Sequence, residues 1–381
     1  MCKSRIFFIS IVFLLSLSNQ VLGQSKLLSP EDLMKTAYFN SIKQAMQEPE
    51  KVVYLDLSSK KLTEFPVEIR SMKNIQKLKL GNNQITTIPD WISELELLQE
   101  LNMYMNKIDT LPDNLYKLEN LRRLNLYNNM VDSISPLIKE LKKLEVLNLR
   151  ENKVKVLPRE IGKLQNLTEL NLQKNYIKIL PEEIGNLENL RILNLYHNQL
   201  TALPPEIGKL KKLVELNLYR NDKIKSLPPE IGDLESLEKL NISKVRPGKL
   251  PPEIGKLKNL KDLNLFCNGM RELPPEFGDL SSLEILNMGN NQRINIPEEF
   301  GNLSNLQRLH LANDLLTEIP DYFCKLKNLQ ILDLRNNSVS EIPSKIKNLK
   351  NLKEIWLSGN PLPEEELKKL KKYFPEVKIT N

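Results

Sequence analysis

A 23-residue period runs through most of this 381-residue chain and constrains its fold more than any other feature. Segments 144–152, 167–175 and 190–198 share the pattern L-x-x-L-x-L-x-x-N, and the full unit continues as x-L-x-x-L-P-x-E-I-x-x-L-x-x. Fourteen such units, the last one partial, begin at Val52, Ile75, Leu98, Leu121, Leu144, Leu167, Leu190, Leu213, Leu237, Leu260, Leu283, Leu306, Leu329 and Leu352. We number the positions of each unit from 1 to 23, starting at these residues.

The pattern within a unit predicts one short strand and one return segment. Around positions 4 and 6 the residues alternate, so the leucines point to one face of a strand and positions 3, 5 and 7 point to the other. The Leu-Pro step at position 15 ends the extended segment, and apolar residues at positions 18 and 21 fit a short helical or 3-10 turn. Since one unit cannot bury its apolar side alone, stacked units predict an α/β solenoid with a curved parallel sheet. We call the outward side of that sheet, at positions 3, 5 and 7, the concave face.

Asparagine recurs at position 9, where each strand is expected to end. Its amide has donors and an acceptor that can satisfy backbone groups buried in a turn, which predicts a structural ladder of asparagines. The members of this ladder are Asn83, Asn106, Asn129, Asn152, Asn175, Asn198, Asn221, Asn268, Asn291, Asn337 and Asn360.

Both ends of the solenoid require caps over the exposed core. Residues 24–51 are interpreted as a linker and a capping helix over about 30–47, because apolar residues there keep helical spacing. Residues 52–362 hold the units, and residues 363–381 form a C-terminal cap with a helix over 363–372. The unit that begins at Leu213 has 24 residues, and Val245 replaces asparagine in the next one. A local change of curvature or a bulged edge is expected near 221–249, either as a tolerated insertion or as an adaptation to a ligand.

Residues 1–23 have the pattern of a secretory signal peptide. Lys3 and Arg5 precede a mostly apolar run over 6–17, and Val21 and Gly23 form a small-residue site that predicts cleavage after Gly23. The alternative is a membrane anchor, but the run is shorter than the about 20 residues that span a bilayer. We therefore expect a secreted or cell-surface protein without a transmembrane segment after cleavage, and a periplasmic location stays open.

The composition disfavours catalysis. With 2 histidines and 3 cysteines, the chain has little material for a metal site or a nucleophile–histidine pair. His197 and His310 lie five units apart, roughly 24 Å at strand spacing, so they cannot share one metal ion. Cys267 and Cys324 fall on different faces and are expected to be free thiols. We predict no enzymatic activity, no metal and no cofactor.

Two columns of the concave face carry the candidate binding residues. Position 7 holds Tyr104, Tyr127, Arg150, Tyr196, Tyr219 and Phe266, and position 5 adds His310 and Trp356. Tyrosine and arginine are enriched at binding hot spots, so these residues predict a protein-binding surface. Cross-strand packing of the rings is the alternative.

Position 5 also holds nine successive asparagines, which are expected either to bond to one another from strand to strand or to contact a ligand. They are Asn102, Asn125, Asn148, Asn171, Asn194, Asn217, Asn241, Asn264 and Asn287. The other exposed strand positions mix acidic and basic residues, although the net charge is +7. Mixed charge suits a protein partner, whereas a duplex-binding surface would be uniformly basic, so no nucleic-acid partner is expected.

The frame L-x-x-L-x-L-x-x-N-x-L-x-x-L-P-x-E-I-G-x-L-x-N-L at 144–167 and 167–190 resembles the repeats of Ras-group leucine-rich-repeat proteins. Together with the signal peptide and the segment 48–57, it is similar to the secreted leucine-rich-repeat proteins of Leptospira spirochaetes. The resemblance implies a non-catalytic solenoid that binds host or extracellular proteins, here as a monomer through the concave face. The alternative is a structural or envelope-associated protein that assembles through its edge or convex surface.

Overall fold

The computed structural model of the protein describes residues 26–292 and 294–381. The predicted signal peptide over 1–23 lies outside the described residues. The described residues form three short α-helices, a series of short 3-10 helices and one parallel sheet. This arrangement confirms the predicted leucine-rich-repeat solenoid, with its strands on one side and its 3-10 turns on the other.

The sheet contains fifteen three-residue strands across the described part of the chain, and their spatial order is their order in sequence. Each strand pairs in parallel with the next at the same unit positions, as Leu147 of one strand does with Leu170 of its neighbour. The strands are Tyr54–Asp56 (β1), Lys77–Lys79 (β2), Glu100–Asn102 (β3), Arg123–Asn125 (β4), Val146–Asn148 (β5), Glu169–Asn171 (β6), Ile192–Asn194 (β7), Glu215–Asn217 (β8), Lys239–Asn241 (β9), Asp262–Asn264 (β10), Ile285–Asn287 (β11), Arg308–His310 (β12), Ile331–Asp333 (β13), Glu354–Trp356 (β14) and Lys378–Thr380 (β15).

The return side consists of five-residue 3-10 helices, each of which follows the Leu-Pro or equivalent step of its unit. They span Val67–Ser71, Asp90–Glu94, Asp113–Lys117, Pro136–Glu140, Arg159–Lys163, Glu182–Asn186, Pro205–Lys209, Pro229–Asp233, Pro252–Lys256, Pro275–Asp279, Glu298–Asn302, Asp321–Lys325 and Ser344–Asn348, after a shorter first one at Pro49–Lys51. A proline just before or at the start of a helical turn is favoured because its φ is preset and its missing N–H would be unpaired there anyway.

A continuous apolar core lies between the sheet and the 3-10 turns. In the unit that begins at Leu144, the side chains at positions 4, 6, 14 and 18 are at most 2% exposed, and these positions are buried along most of the solenoid. Later units replace the aliphatic residue at position 18 with Phe277, Phe300 and Phe323, whose rings lie 6.1 and 5.2 Å apart between centroids. The core is therefore made of stacked layers that extend for the whole length of the sheet.

The N-terminal cap differs from the single helix predicted over 30–47. Two short helices, Pro30–Lys35 (α1) and Ile42–Ala45 (α2), are separated by an extended segment. In that segment Phe39 forms a parallel bridge with Leu55 of β1, with backbone hydrogen bonds of 3.0 and 2.9 Å to Tyr54 and Asp56. The prediction was wrong because the open edge of the first strand needs backbone partners, which a continuous helix could not supply.

The C-terminal cap contains the predicted helix and one strand that the sequence analysis missed. The helix Glu364–Tyr373 (α3) buries Leu370, and Phe374 just after it is also buried. The chain then returns to the sheet as β15, which pairs with β14 and covers its outer edge. The cap thus protects both the apolar core and the hydrogen-bonding groups of the last repeat strand.

The extra residue of the 24-residue unit does not alter the sheet. Glu215, Leu216 and Asn217 of β8 pair with Lys239, Leu240 and Asn241 of β9 in the usual register. The insertion is confined to the turn after β8, where Asp222 and Lys223 are exposed.

Candidate binding surface

The position-9 asparagines join successive units beneath the strand ends. In the unit that begins at Leu167, Asn175 accepts a hydrogen bond from the backbone N–H of Val154, and its amide donates to the carbonyls of Leu149 and Leu172 at 2.8 and 3.0 Å. Comparable contacts occur at Asn106, Asn129, Asn152 and Asn198. Because these asparagines are buried, each one satisfies backbone groups that water cannot reach. This column therefore faces the interior and is not available to a ligand.

Two different turns follow the strands. In the second to seventh units, which we call the regular stretch, only position 8 has a positive φ, and the N–H of position 10 donates to position 11 of the preceding unit. In the ninth to twelfth units, which we call the irregular stretch, positions 8 and 10 both have positive φ. The position-9 N–H there donates to the position-9 side chain of the following unit, as Asn268 does to Asn291 at 3.0 Å. The side chain at position 8, at the rim of the concave face, is therefore presented by a left-handed backbone in both stretches.

The position-5 asparagines do not bond to one another in residues 26–292 and 294–381, so that prediction was wrong. Instead, each side-chain oxygen accepts from the N–H two residues later, as Asn194 does from Tyr196 at 3.1 Å and Asn217 from Tyr219 at 3.1 Å. Along each strand, every second backbone N–H points away from the next strand. At position 7, that N–H is satisfied by its hydrogen bond to the asparagine side chain two residues earlier. The asparagine column thereby holds the backbone that carries the position-7 side chains.

The aromatic side chains at position 7 form pairs on the concave face. The rings of Tyr196 and Tyr219 are stacked, with centroids 4.9 Å apart and planes inclined by 5°. The guanidinium of Arg150 lies 4.9 Å from the ring centroid of Tyr127. All four side chains are half-buried, because one side of each packs on a neighbouring unit. Their other sides form a rigid surface of aromatic and cationic groups, a composition that favours protein recognition.

Tyr104 and Phe266 stand at the two ends of this column. The ring of Tyr104 covers Gly81 of the preceding unit so closely that a Cβ there would overlap it. Phe266 is half-buried, and its ring lies beside Gly289 of the following unit, where a Cβ would be 3.5 Å from Phe266 Cδ2. Gly81 thus leaves room for the Tyr104 ring, whereas the Phe266 ring would tolerate a Cβ at Gly289. The six central candidates are therefore on one face, with the paired rings in the middle.

His310 and Trp356 lie near each other at the far end of the sheet, apart from the central rings. Their ring centroids are 6.0 Å apart, and the guanidinium of Arg335 lies 4.6 Å from the centroid of the Trp356 ring. Arg335 also donates to the buried carboxylate of Asp333 through Nη2 at 2.8 Å and Nε at 2.9 Å, and His310 Nδ1 lies 3.5 Å from it. Burial by itself would raise the pKa of Asp333, but the hydrogen bonds from Arg335 and His310 outweigh it and hold that pKa well below its usual range.

Opposite charges neutralise one another along the first strands. Glu100 lies 2.7 Å from Lys77 and 3.8 Å from Arg123, and Glu145 forms an ion pair with Arg122. These contacts leave that part of the concave face with mixed polarity.

The family comparisons agree with the repeat architecture. The family model described as a leucine-rich repeat matches residues 50–108, 119–177 and 304–362, and the model described as a leucine-rich-repeat region matches 169–249 and 240–315. Among solved structures, a leucine-rich-repeat protein of Leptospira interrogans is 33% identical, with a TM-score of 0.76, over 91% of this chain and 100% of that one. The chain belongs to the leucine-rich-repeat family. None of the curated proteins matches it.

Two further solved structures related to this leucine-rich-repeat protein are receptors with bound ligands. The plant peptide hormone receptor RGFR1, in complex with RGF2, is 29% identical over 82% of this chain and 60% of its own, with a TM-score of 0.61. TLR13, in a complex with ssRNA13, is 27% identical over 90% of this chain and 52% of its own, with a TM-score of 0.75. The solenoid therefore spans only part of each of these receptors.

Within the described ranges, the leucine-rich-repeat protein has no cluster of three or more metal-ligating side chains and no helix of the length and apolarity required to cross a membrane. Cys267 and Cys324 are both free, in agreement with the sequence analysis. Burial raises the pKa of the Cys324 thiol to about 11, so this group remains protonated at neutral pH.

Two groups of residues were missed by the sequence analysis. Asp333 and Arg335 complete the cluster of His310 and Trp356, and their spacing of two residues on one strand face was a usable signal. The second group lines a groove between the regular and irregular stretches and includes Arg220 and Lys244 at position 8 of adjacent units. Basic residues in successive units next to the insertion were the signal for that groove.

Proposed function

We propose that this leucine-rich-repeat protein is an exported, non-catalytic and monomeric binding protein that recognises host or extracellular proteins through its concave face. The observation that carries the proposal is the stacked pair of Tyr196 and Tyr219 beside the Tyr127–Arg150 pair. These side chains are fixed by their neighbours before any partner binds, so little conformational entropy is lost on binding. The ligand-bound receptors among the related structures support a role in recognition.

The secreted or cell-surface location is part of this proposal and rests on the residue pattern of 1–23. Fractionation of the producing cells tests it. Mature protein that begins at Gln24 in the medium or on the surface supports export, whereas uncleaved protein in the cytoplasm contradicts it.

The binding test uses three matched baits made from residues 24–381. The wild type is compared with Tyr196→Ala/Tyr219→Ala/Phe266→Ala and with the control Val67→Ala/Val156→Ala/Ile179→Ala, whose side chains are exposed elsewhere. We expect one or more solubilised extracellular-matrix or cell-surface proteins to be retained by the wild type and the control and lost from the concave variant. Affinity of the purified partner should fall by about 30-fold or more, as for removal of a hot-spot cluster. Equal retention by the concave variant, with all three baits folded, contradicts the proposal.

A second candidate function is assembly through a surface away from the concave face. It is favoured by the exposed apolar residues Val156 and Ile179, which are 68% and 70% exposed at position 13 of adjacent units, with Tyr176 also exposed. Light scattering after size-exclusion chromatography separates the two functions. A mass that rises with protein concentration, and that the Val156→Ala/Tyr176→Ala/Ile179→Ala variant abolishes, favours assembly; a constant monomer mass favours the first proposal.

A further inference from the structure

A groove of about 580 Å³ opens at the rim of the concave face, next to the inserted residue of the eighth unit. It is lined by the turns of five successive units, the sixth to the tenth, and its position-8 residues are His197, Arg220, Lys244 and Cys267. All four have a positive φ between 52° and 59°, so they are displayed by the left-handed turn that follows each strand. The volume falls in the range of ligand sites.

Four cations without a carboxylate partner in the described part of the chain lie close together in this groove. Arg220, Lys223, Lys244 and Arg246 line it, and no carboxylate among the described residues lies within 4.0 Å of their charged groups. By contrast, Lys174 in the neighbouring unit is paired with Glu151 at 2.7 Å. With four cations and one carboxylate, Asp222, the groove lining keeps a net positive charge that attracts an anionic ligand.

The insertion contributes to this arrangement. Because the turn after β8 has one residue more than the others, Lys223 is exposed in the groove, while the pairing of β8 with β9 is unchanged. The following turn has positive φ at both Lys244 and Arg246, which places two cations on one short loop. The irregularity thus adds charge to the rim without disturbing the sheet.

The groove is continuous with the central aromatic surface. Arg220 Cζ and Lys244 Nζ lie 5.5 and 5.9 Å from the ring centroid of Tyr219, which is stacked on Tyr196. A ligand that covers these rings therefore reaches the cations without leaving the protein surface.

We propose that this groove binds an acidic peptide segment of the protein partner, with Arg220, Lys223, Lys244 and Arg246 as the carboxylate-binding residues. The inference deepens the proposed function and rests on it. The four cations lie on the turns of two adjacent units, about 4.8 Å apart at strand spacing, so a short acidic segment can contact all of them.

Other lining groups favour a peptide over a densely sulfated sugar chain. Asp222 lies within the groove and would repel a uniform polyanion, whereas a peptide can offer it backbone N–H groups. Asn175, Asn198 and Gln199 add neutral amides to the lining. The stripe of cations is also short, since His197 precedes it and Cys267 and Asn290 follow it at position 8.

Fluorescently labelled octaglutamate is the probe, and octaglutamine is its neutral control. The groove variant Arg220→Glu/Lys223→Glu/Lys244→Glu is compared with Lys139→Glu/Lys163→Glu/Lys209→Glu, which makes the same change in net charge on the exposed 3-10 side. Glu151 occupies position 8 with a φ of 54°, so glutamate is compatible with this backbone. If the charge-reversed groove variant does not fold, the corresponding triple glutamine variant replaces it.

We expect octaglutamate to bind the wild type and the 3-10-side variant, to weaken with added salt, and to lose at least about tenfold in affinity for the groove variant. The proposal is overturned if both variants lose affinity for octaglutamate equally or if neither loses affinity. It is also overturned if octaglutamine binds as tightly as octaglutamate, or if octaglutamate does not bind the wild type. Binding of a sulfated oligosaccharide at the groove without binding of octaglutamate also overturns it. Because the probe needs no partner and leaves Tyr196 and Phe266 intact, these outcomes are separate from failure of the concave-face test.

Discussion

The regular and irregular stretches build the same sheet with different turns. In the regular stretch, the position-9 oxygen accepts from the N–H at position 11 of the preceding unit, as Asn106 does from Ile85 at 3.0 Å. In the irregular stretch, it also accepts from the position-9 N–H of the preceding unit, as Asn291 does from Asn268 at 3.0 Å. The acceptor oxygen is thus kept in both stretches, and at the irregular turns it satisfies the position-9 N–H in addition, since Asn291 still accepts from the position-11 N–H of Met270 at 3.3 Å. This explains why Asp314 can replace asparagine as an acceptor.

The replacement of asparagine by Asp314 still destabilises the fold through the second side-chain oxygen, Oδ2. Asp314 Oδ1 accepts from Asn291 at 2.6 Å, but its Oδ2 is buried without a partner among the described residues. In the regular stretch the corresponding atom is the amide nitrogen, which donates to two carbonyls, as at Asn175. Burial, partly offset by the backbone N–H groups of Asn291 and Gln292, raises the pKa of Asp314 to about 7. A protonated oxygen supplies the missing donor, so the irregular stretch is the pH-sensitive one.

The largest effect is expected from breaking the regular ladder. Asn175→Leu removes the partners of three buried backbone groups, at Val154, Leu149 and Leu172, and each unsatisfied group costs about 1–3 kcal/mol. We expect the free energy of unfolding in urea to fall by about 5 kcal/mol. Asn186→Leu, at an exposed position of the return side, is the control and should unfold like the wild type. A loss below about 1 kcal/mol would show that the ladder is not a structural requirement.

Asp314→Asn tests the irregular stretch and should stabilise the protein, whereas Asn175→Leu destabilises it. The folded-state pKa is raised from 3.8 to about 7, so stability from the protonated carboxyl is complete below pH 4 and is lost as the pH rises to 7. At 1.36 kcal/mol per pKa unit, the loss is on the order of 4 kcal/mol. The variant should therefore be more stable than the wild type at pH 8 and differ less at pH 4, as measured by thermal unfolding.

The reciprocal substitution Asn175→Asp sharpens this comparison, because it places a carboxylate in the regular stretch. It should destabilise the protein more at pH 8 than at pH 4. A wild-type unfolding midpoint that is flat from pH 4 to pH 8 and unchanged by Asp314→Asn contradicts the account of the irregular stretch.

Asp333 is a second buried carboxylate, and it should depend on pH with the opposite sign. Its pKa lies below the unfolded value, so the stability from its hydrogen bonds is present at neutral pH and is lost in acid as the carboxylate is protonated. Arg335→Ala removes two charge-assisted hydrogen bonds and should cost about 2 kcal/mol at pH 7. Arg308→Ala, an exposed arginine on β12, is the control for loss of charge. Equal unfolding curves for both variants at pH 7 would contradict this role of Arg335.

The smallest difference in stability is expected between alanine substitutions at two glycines. A Cβ at Gly185, in the regular stretch, would overlap the backbone carbonyl of Glu206, so Gly185→Ala should cost about 2–3 kcal/mol. A Cβ at Gly269, in the irregular stretch, would meet nothing within 4 Å, and only its φ of +65° opposes alanine. Gly269→Ala should therefore cost about 1 kcal/mol, the usual penalty for a left-handed residue. If chemical unfolding shows a larger loss of stability for Gly269→Ala than for Gly185→Ala, the steric cause assigned to Gly185 and the conformational cause assigned to Gly269 are wrong.

Much of the fold was predictable from the sequence, because each unit repeats the same physical requirement. The leucines, the position-9 asparagines and the Leu-Pro steps predicted the strands, the turns and the 3-10 side. The two turn forms were not predictable, because position-10 residues such as Gln292 and Leu315 adopt positive φ where the position-9 N–H donates to a side chain of the following unit. The break in the N-terminal helix and the strand β15 were missed for a related reason, since both depend on pairing with a sheet edge that local spacing does not reveal.

The candidate surface was predicted in part. Alternation along each strand placed Tyr196 and Tyr219 on the concave face, but their stacking depends on side-chain geometry. The groove cations come from turns rather than strands, so a search confined to strand positions did not include them.

The central claim is that position 9 holds the fold while position 7 is available for recognition. It is tested most directly by measuring the unfolding midpoint and the affinity for a captured partner on the same preparations of Tyr196→Ala/Tyr219→Ala/Phe266→Ala. The account predicts a midpoint within about 5 °C of the wild type, since only half-buried rings are removed, and a loss of binding of about 30-fold or more. Unchanged affinity in a folded variant, or loss of binding that merely accompanies unfolding, would contradict it.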